Sequence, residues 1–259
     1  MALAYQISLV PMKKSILKSV KFYGFLYIVL AIVGGVALAV FSLRLPRHHI
    51  QEAQRNIVLA QVSGLHAWLE DVNISAADGT VLRGWYVVPE HSNGAAVILL
   101  HGVTDNRLGM AGYGEFLLQH GYSILLPDAR RHGESGGDLA TYGLNEAKDV
   151  HGWIDWLYRV HSPSCLYGLG ESMGAAIVLQ FLKYESRFCA VVAESSFSDF
   201  RQAALDRVSV RIGLPPVFGK YYFRLPVEIA LLYTHLRYGL DLNNASPQDA
   251  VPTAKHQSC

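Results

Sequence analysis

This sequence predicts an α/β fold, a doubly wound and mostly parallel sheet, on three observations. Short apolar runs without strict alternation, Ala95–Leu100, Tyr122–Leu126, Cys165–Leu169 and Ala190–Ala193, suit strands buried on both faces of a parallel sheet. Helical stretches of crossover length, Gly109–His120, Leu144–Val160 and Met173–Tyr184, separate them. Ahead of them, Val72–Ser75 and Val81–Val88 flank Ala77-Asp78-Gly79, whose Asp-Gly pair is a hairpin signal. In such sheets chemistry gathers at the carboxyl ends of the strands.

The 259 residues allow one good-sized core. Hydrophobic residues make up 51% and charged residues 17%, so an apolar excess must be localised somewhere. It lies in Phe22–Leu43, which carries no charge and as a helix would be about 33 Å long, enough for a hydrocarbon core of about 30 Å. Tyr23 and Tyr27 lie near one end, where interfacial aromatics belong. Lys13, Lys14, Lys18 and Lys21 precede the run, and Arg44, Arg47 and Arg55 follow it. Positive charge retained inside makes residues 1–21 a cytoplasmic segment, 22–43 a transmembrane helix and the rest extracytoplasmic. A cleaved signal peptide is the competing reading, since Ala37-Leu38-Ala39 has the small-x-small pattern. Residues 44–70 read as a connector into a domain over 71–259.

A net charge of +1 gives no reason to expect nucleic acid. Cys165, Cys189 and Cys259 make neither a disulfide framework nor a zinc spacing, and no cofactor or metal motif is present. Cys165 and Cys189 open apolar runs and read as small hydrophobes. A bridge between neighbouring strands is the alternative, one that an oxidising compartment would favour.

Gly-x-Ser-x-Gly occurs twice, and context separates the copies. Gly133-Glu134-Ser135-Gly136-Gly137 lies well beyond the end of its strand, and no helix starts after it. Gly170-Glu171-Ser172-Met173-Gly174 abuts Cys165–Leu169 and runs directly into AAIVLQFLKY. Strand–turn–helix is what a nucleophile elbow needs: the turn lifts the hydroxyl, and the helix N-terminus offers N–H groups to a developing oxyanion. Ser172 is therefore the nucleophile candidate, and Ser135 is a loop residue.

With these motifs in order, the chain resembles the α/β-hydrolases, in particular the serine aminopeptidase and prolyl-oligopeptidase-like branch. His101-Gly102-Val103 closes its strand as the family's HGx element does, and Asp128-Ala-Arg130-Arg-His132-Gly133-Glu-Ser135 is similar to the family's loop after the next strand. Glu146, Asp149 and Glu194-Ser195-Ser196-Phe197 fit the same pattern, and the likeness extends from Val72 to Ala250. It implies an oxyanion hole made by the backbone N–H groups of Val103 and Met173. The motifs specify a fold and leave the substrate open.

A serine nucleophile needs a general base, ordinarily a histidine held by a carboxylate. In the family both follow the serine, the acid after the seventh strand and the histidine after the eighth. Ser246-Pro247-Gln248-Asp249-Ala250 resembles the segment preceding the first of those strands, and only VPTAKHQSC follows. The expectation is a chain that stops before its acid and base: a fragment, a frameshifted product or a member that has lost catalysis. Ala190–Ala193 should then be a sheet edge. Glu194 is the possible alternative acid. His235 reads as a core or cap histidine, His256 lies in a polar tail, His101 shapes the oxyanion loop, and His132 and His151 belong to a loop and a helix surface.

Residues 200–242, with Pro215-Pro216 and several aromatics, correspond to the lid that α/β-hydrolases insert after the sixth strand. Two functions stand. One is a membrane-anchored serine hydrolase cleaving an ester, thioester or amide in a small molecule or peptide. The other is a membrane-tethered, catalytically inactive binding protein. Nothing in the sequence sets an oligomeric state.

Overall fold

The computed structural model describes residues 14–254. The N-terminal residues 1–13, His256 and Cys259 lie outside them. Helix α1 (Lys14–Leu43) contains the whole predicted apolar run. It is the one described helix long and apolar enough to cross a membrane. Helix α2 (Glu52–Gly64) then occupies the predicted connector, its N-terminus closed by a capping box between Gln51 and Gln54. Strand β1 (Ala67–Ser75) starts earlier than Val72, because Ala67–Asp71 continue the antiparallel ladder against Pro89–Trp85 of β2 (Val81–Pro89). The Asp-Gly signal forms the turn between them: Gly79 has φ +80°, and Thr80 N donates to Asp78 Oδ1 at 3.1 Å.

The remaining strands and crossovers are β3 (Ala96–Leu100), α3 (Ala111–Gln119), β4 (Ser123–Pro127), α4 (Glu146–Val160), β5 (Leu166–Glu171), α5 (Met173–Phe181) and β6 (Phe188–Glu194). The six strands form one sheet in the order β1-β2-β4-β3-β5-β6, with β4, β3, β5 and β6 mutually parallel. This is the predicted fold class. Successive residues of β3 enter opposite cores, which is why the run lacks polar alternation. Ala96, Ile98 and Leu100 meet Trp153, Ile154 and Phe181 of α4 and α5. Val97 and Leu99 meet Val62 of α2 and Leu118 of α3 on the other face.

Two expectations need correction. Ala190–Ala193 is a strand and, as expected, the sheet edge among the described residues, so it is not buried on both faces: Ala190, Val192 and Ala193 are exposed. Cys165 and Cys189 are joined in a disulfide rather than free. Parallel pairing of β5 with β6 brings their Cα atoms to 5.9 Å, inside the range a bridge requires, and the ladder skips Cys189 between the pairs Leu166–Phe188 and Tyr167–Ala190.

After β6 come α6 (Phe200–Arg211), α7 (Pro216–Tyr222), α8 (Arg224–Tyr238) and the short α9 (Pro247–Ala250). A third core joins this helical insertion to the end of α1: Leu43, Phe200, Leu205, Val227, Leu231 and Leu242 bury one another.

Candidate active site

Ser172 stands between β5 and α5 with φ +52° and ψ −107°, a backbone conformation that side-chain-bearing residues rarely hold without tertiary support. The support is visible. Ser172 N donates to Glu194 O at the end of β6 (2.8 Å), and Ser172 O accepts from Ala176 N in the first turn of α5 (3.0 Å). The flanking glycines are required by space. A Cβ on Gly174 would lie 2.0 Å from Leu100 O, and one on Gly170 2.4 Å from the Gly174 carbonyl carbon. The second Gly-x-Ser-x-Gly copy is built otherwise: Ser135 is fully buried, accepts from Arg83 N at 2.8 Å and donates to Asp128 O at 2.8 Å.

The β3 loop passes close to Ser172, since a Cβ on Gly102 would meet Ser172 Cβ at 3.6 Å. His101 fixes this loop from beneath. Its Nε2 accepts from Ala129 N at 3.0 Å, so the proton sits on Nδ1, which donates to Gly102 O at 2.8 Å. Both ring nitrogens are therefore committed, and burial lowers the pKa. The N–H groups of Val103 and Met173 donate to no group among the described residues.

Buried charges brace the loop after β4. Asp128 accepts from Arg107 N (2.8 Å), Arg107 Nη2 (2.6 Å) and Glu134 N (2.7 Å). Arg130 grips Asp149 with two bonds of 2.7 Å and reaches Asp78 at 2.9 Å. Glu146 accepts from Thr141 N at 2.6 Å and Gly143 N at 2.8 Å. Asp128 and Glu146 thus hold backbone and Asp149 holds the Arg130 guanidinium, and none of the three hydrogen-bonds Ser172.

His132 packs edge-on against His101 in the same region. Its Nδ1 donates to Arg130 O at 2.9 Å, and Nε2 is buried with no partner among the described residues. Burial, then the neighbouring His101, pushes its pKa down to about 4. An unfolded chain protonates histidine near pH 6.5, while native His132 stays neutral until about 4. The unfolded state thus binds more protons between those values, and stability should fall as pH drops, by on the order of 1 kcal/mol per pH unit. Urea midpoints at pH 7, 6 and 5 check this. His132→Asn should flatten the slope whatever its absolute stability.

Glu194 lies at the end of β6 beside the elbow, but its carboxylate accepts a short hydrogen bond from Tyr113 OH of α3. Tyr113 carries no motif and lies 81 residues from Glu194, so no local signal in the sequence points to it. No described histidine hydrogen-bonds Ser172. His151 faces Glu185 at 3.2 Å, and His235 is exposed on α8. A cavity of about 800 Å³ lies elsewhere, between α4, α5 and the segment 243–250.

Comparison with known proteins gives a consistent result. The model of the family described as "Serine aminopeptidase, S33" matches residues 91–244. An uncharacterized protein YqkD of Bacillus subtilis is 32% identical over 180 residues, covering 67% of this chain and 55% of its own. Polyketide transferase ATR5 of Stachybotrys chlorohalonatus is 30% identical over 167 residues, covering 58% of this chain and 56% of its own. The chain spans about half the length of these relatives. Among solved structures, the Pyrococcus furiosus esterase Pf2001 superposes with a TM-score of 0.56 at 28% identity, over 73% of this chain and 71% of the esterase.

Proposed function

The chain belongs to the serine aminopeptidase S33 family of α/β-hydrolases, and from that membership we propose that it is a membrane-anchored serine hydrolase with Ser172 as its nucleophile. The observation that carries this reading is the left-handed backbone at Ser172, held by Glu194 O and by two glycines that admit no side chain. In the reaction, Ser172 Oγ adds to the carbonyl carbon of an ester, thioester or amide while its proton passes to solvent water. The carbonyl electron pair moves to oxygen, where the Val103 and Met173 N–H groups and the N-terminus of α5 receive it. Collapse breaks the bond to the alcohol, thiol or amine, which takes a proton from solvent, and addition of water then frees the acyl group as a carboxylic acid and returns the proton to the Ser172 hydroxyl. The likeness to an esterase favours an ester among these substrates. Helices α6–α8 serve as the lid.

Helix α1 is the anchor. The lysine excess before the apolar run Phe22–Leu43 keeps the N-terminus in the cytoplasm, and the Cys165–Cys189 bridge suits a domain in an oxidising compartment on the other side.

One observation favours the second reading, a tethered protein that binds without turnover: Tyr113 holds the Glu194 carboxylate where a charge relay would need an imidazole. A fluorophosphonate probe on the purified chain separates the two. Labelling that disappears in Ser172→Ala supports the hydrolase. Labelling that persists in this variant removes Ser172 as nucleophile, and no labelling between pH 5 and 9 supports the binding protein.

A further inference from the structure

We infer that the helical lid α6–α8 is itself immersed in the phospholipid bilayer beside α1, with a basic apolar tip that prefers anionic lipid. The inference rests on the reading of α1 as a membrane anchor and adds where the lid lies.

The first support is geometric. Ala31, Gly35, Ala39 and Leu43 form the buried stripe of α1, at four-residue spacing. Small residues so spaced let apolar helices approach closely. A Cβ on Gly35 would lie 2.6 Å from Pro226 O and 2.8 Å from Ile229 Cβ, so α8 occupies that stripe. Lower down, Tyr27 OH donates to Tyr222 O at 3.3 Å, and higher up Leu43 shares a core with Leu231. Helix α8 therefore runs alongside α1 in the same direction. A crossing needs about 20 residues of helix. Helix α1 has 30, and every stretch of about 20 within it includes both Tyr27 and Ala31. No placement of the bilayer along α1 leaves the lid wholly in water.

The second support is chemical. The lid exposes Val210, Ile212, Val217, Phe218, Tyr221 and Leu236, with Tyr221 77% and Leu236 74% accessible. An apolar surface of this kind needs a cover. From Arg207 to Val227 the chain carries Arg207, Arg211, Lys220 and Arg224 and no acidic residue. Glu228, the next acid, is paired with Arg201 at 3.0 Å. Long basic side chains can reach from an apolar surface to lipid headgroups, and each contributes to attraction towards anionic lipid. The surface thus matches a leaflet in both polarity and charge sign.

The test uses the full chain with Cys259→Ser, reconstituted in phosphatidylcholine–phosphatidylglycerol vesicles carrying doxyl-labelled acyl chains. An environment-sensitive fluorophore is attached at Tyr221→Cys on the lid, at Phe25→Cys on α1, or at Trp68→Cys on β1 as the water-exposed reference. Strong quenching at 25 and at 221, several-fold above that at 68, is the expected result. Quenching at 25 with none at 221 overturns the lid proposal and leaves the anchor standing. Quenching at neither removes the anchor reading and the proposal with it. Adding Lys220→Glu and Arg224→Glu should reduce quenching at 221 several-fold without changing position 25. Unchanged quenching at 221 overturns the preference for anionic lipid.

Discussion

Gly174→Ala should destabilise the domain by about 3 kcal/mol or more and abolish any labelling at Ser172, the magnitude lying at the upper end of overpacking costs. The new methyl would lie 2.0 Å from Leu100 O, 2.5 Å from Leu100 C and 2.9 Å from His101 O. All three atoms are backbone at the end of a central strand, so no rotamer change can relieve the contact. Relief must come from moving α5 off the sheet or shifting the His101–Val103 loop, and either change separates the Ser172 hydroxyl from the two N–H groups. Gly112→Ala is the matched control: nothing lies within 4 Å of the added methyl, so higher helix propensity should leave stability unchanged or raised by about 0.5–1 kcal/mol. Urea midpoints of the two variants check the contrast.

Asp128→Ala should cost about 3–5 kcal/mol, the range for breaking a buried ion pair on one side only. Asp128 and Arg107 have side chains 0% and 3% accessible, so the guanidinium would keep its burial and lose its counter-charge. The packing of Arg107 over the Trp85 ring does not replace a carboxylate. The backbone N–H of Glu134 would lose its acceptor as well. Asp128→Asn retains an acceptor oxygen and should fall between wild type and alanine. The same denaturation measurement orders the three.

Much of this was legible in the residues because it is local. The β3, β4 and β5 runs lack alternation because both faces are covered, and the Asp-Gly pair fits a turn needing positive φ. The two Gly-x-Ser-x-Gly copies were separable because one abuts a strand and a helix and the other does not. What escaped is long-range. The pairing of Tyr113 with Glu194 and the packing of α1 on α8 depend on elements distant in sequence meeting in space, and the same separation left the Cys165–Cys189 bridge an alternative reading and not the favoured one. The Ala31, Gly35, Ala39 spacing is a readable sign of the α1–α8 packing, but it lies inside an apolar run that a bilayer crossing alone also accounts for. The edge position of β6 was expected from where the strand falls in the order of motifs, and its exposure follows from that place and not from the composition of the run.

The most direct measurement is a peptide map of the chain after fluorophosphonate treatment. Trypsin should place the adduct on the peptide Val160–Lys183, which holds Ser162, Ser164 and Ser172, and fragmentation should assign it to Ser172. An adduct on either of the other two serines, or on a different peptide, would contradict the proposal that the turn between β5 and α5 presents the reactive hydroxyl.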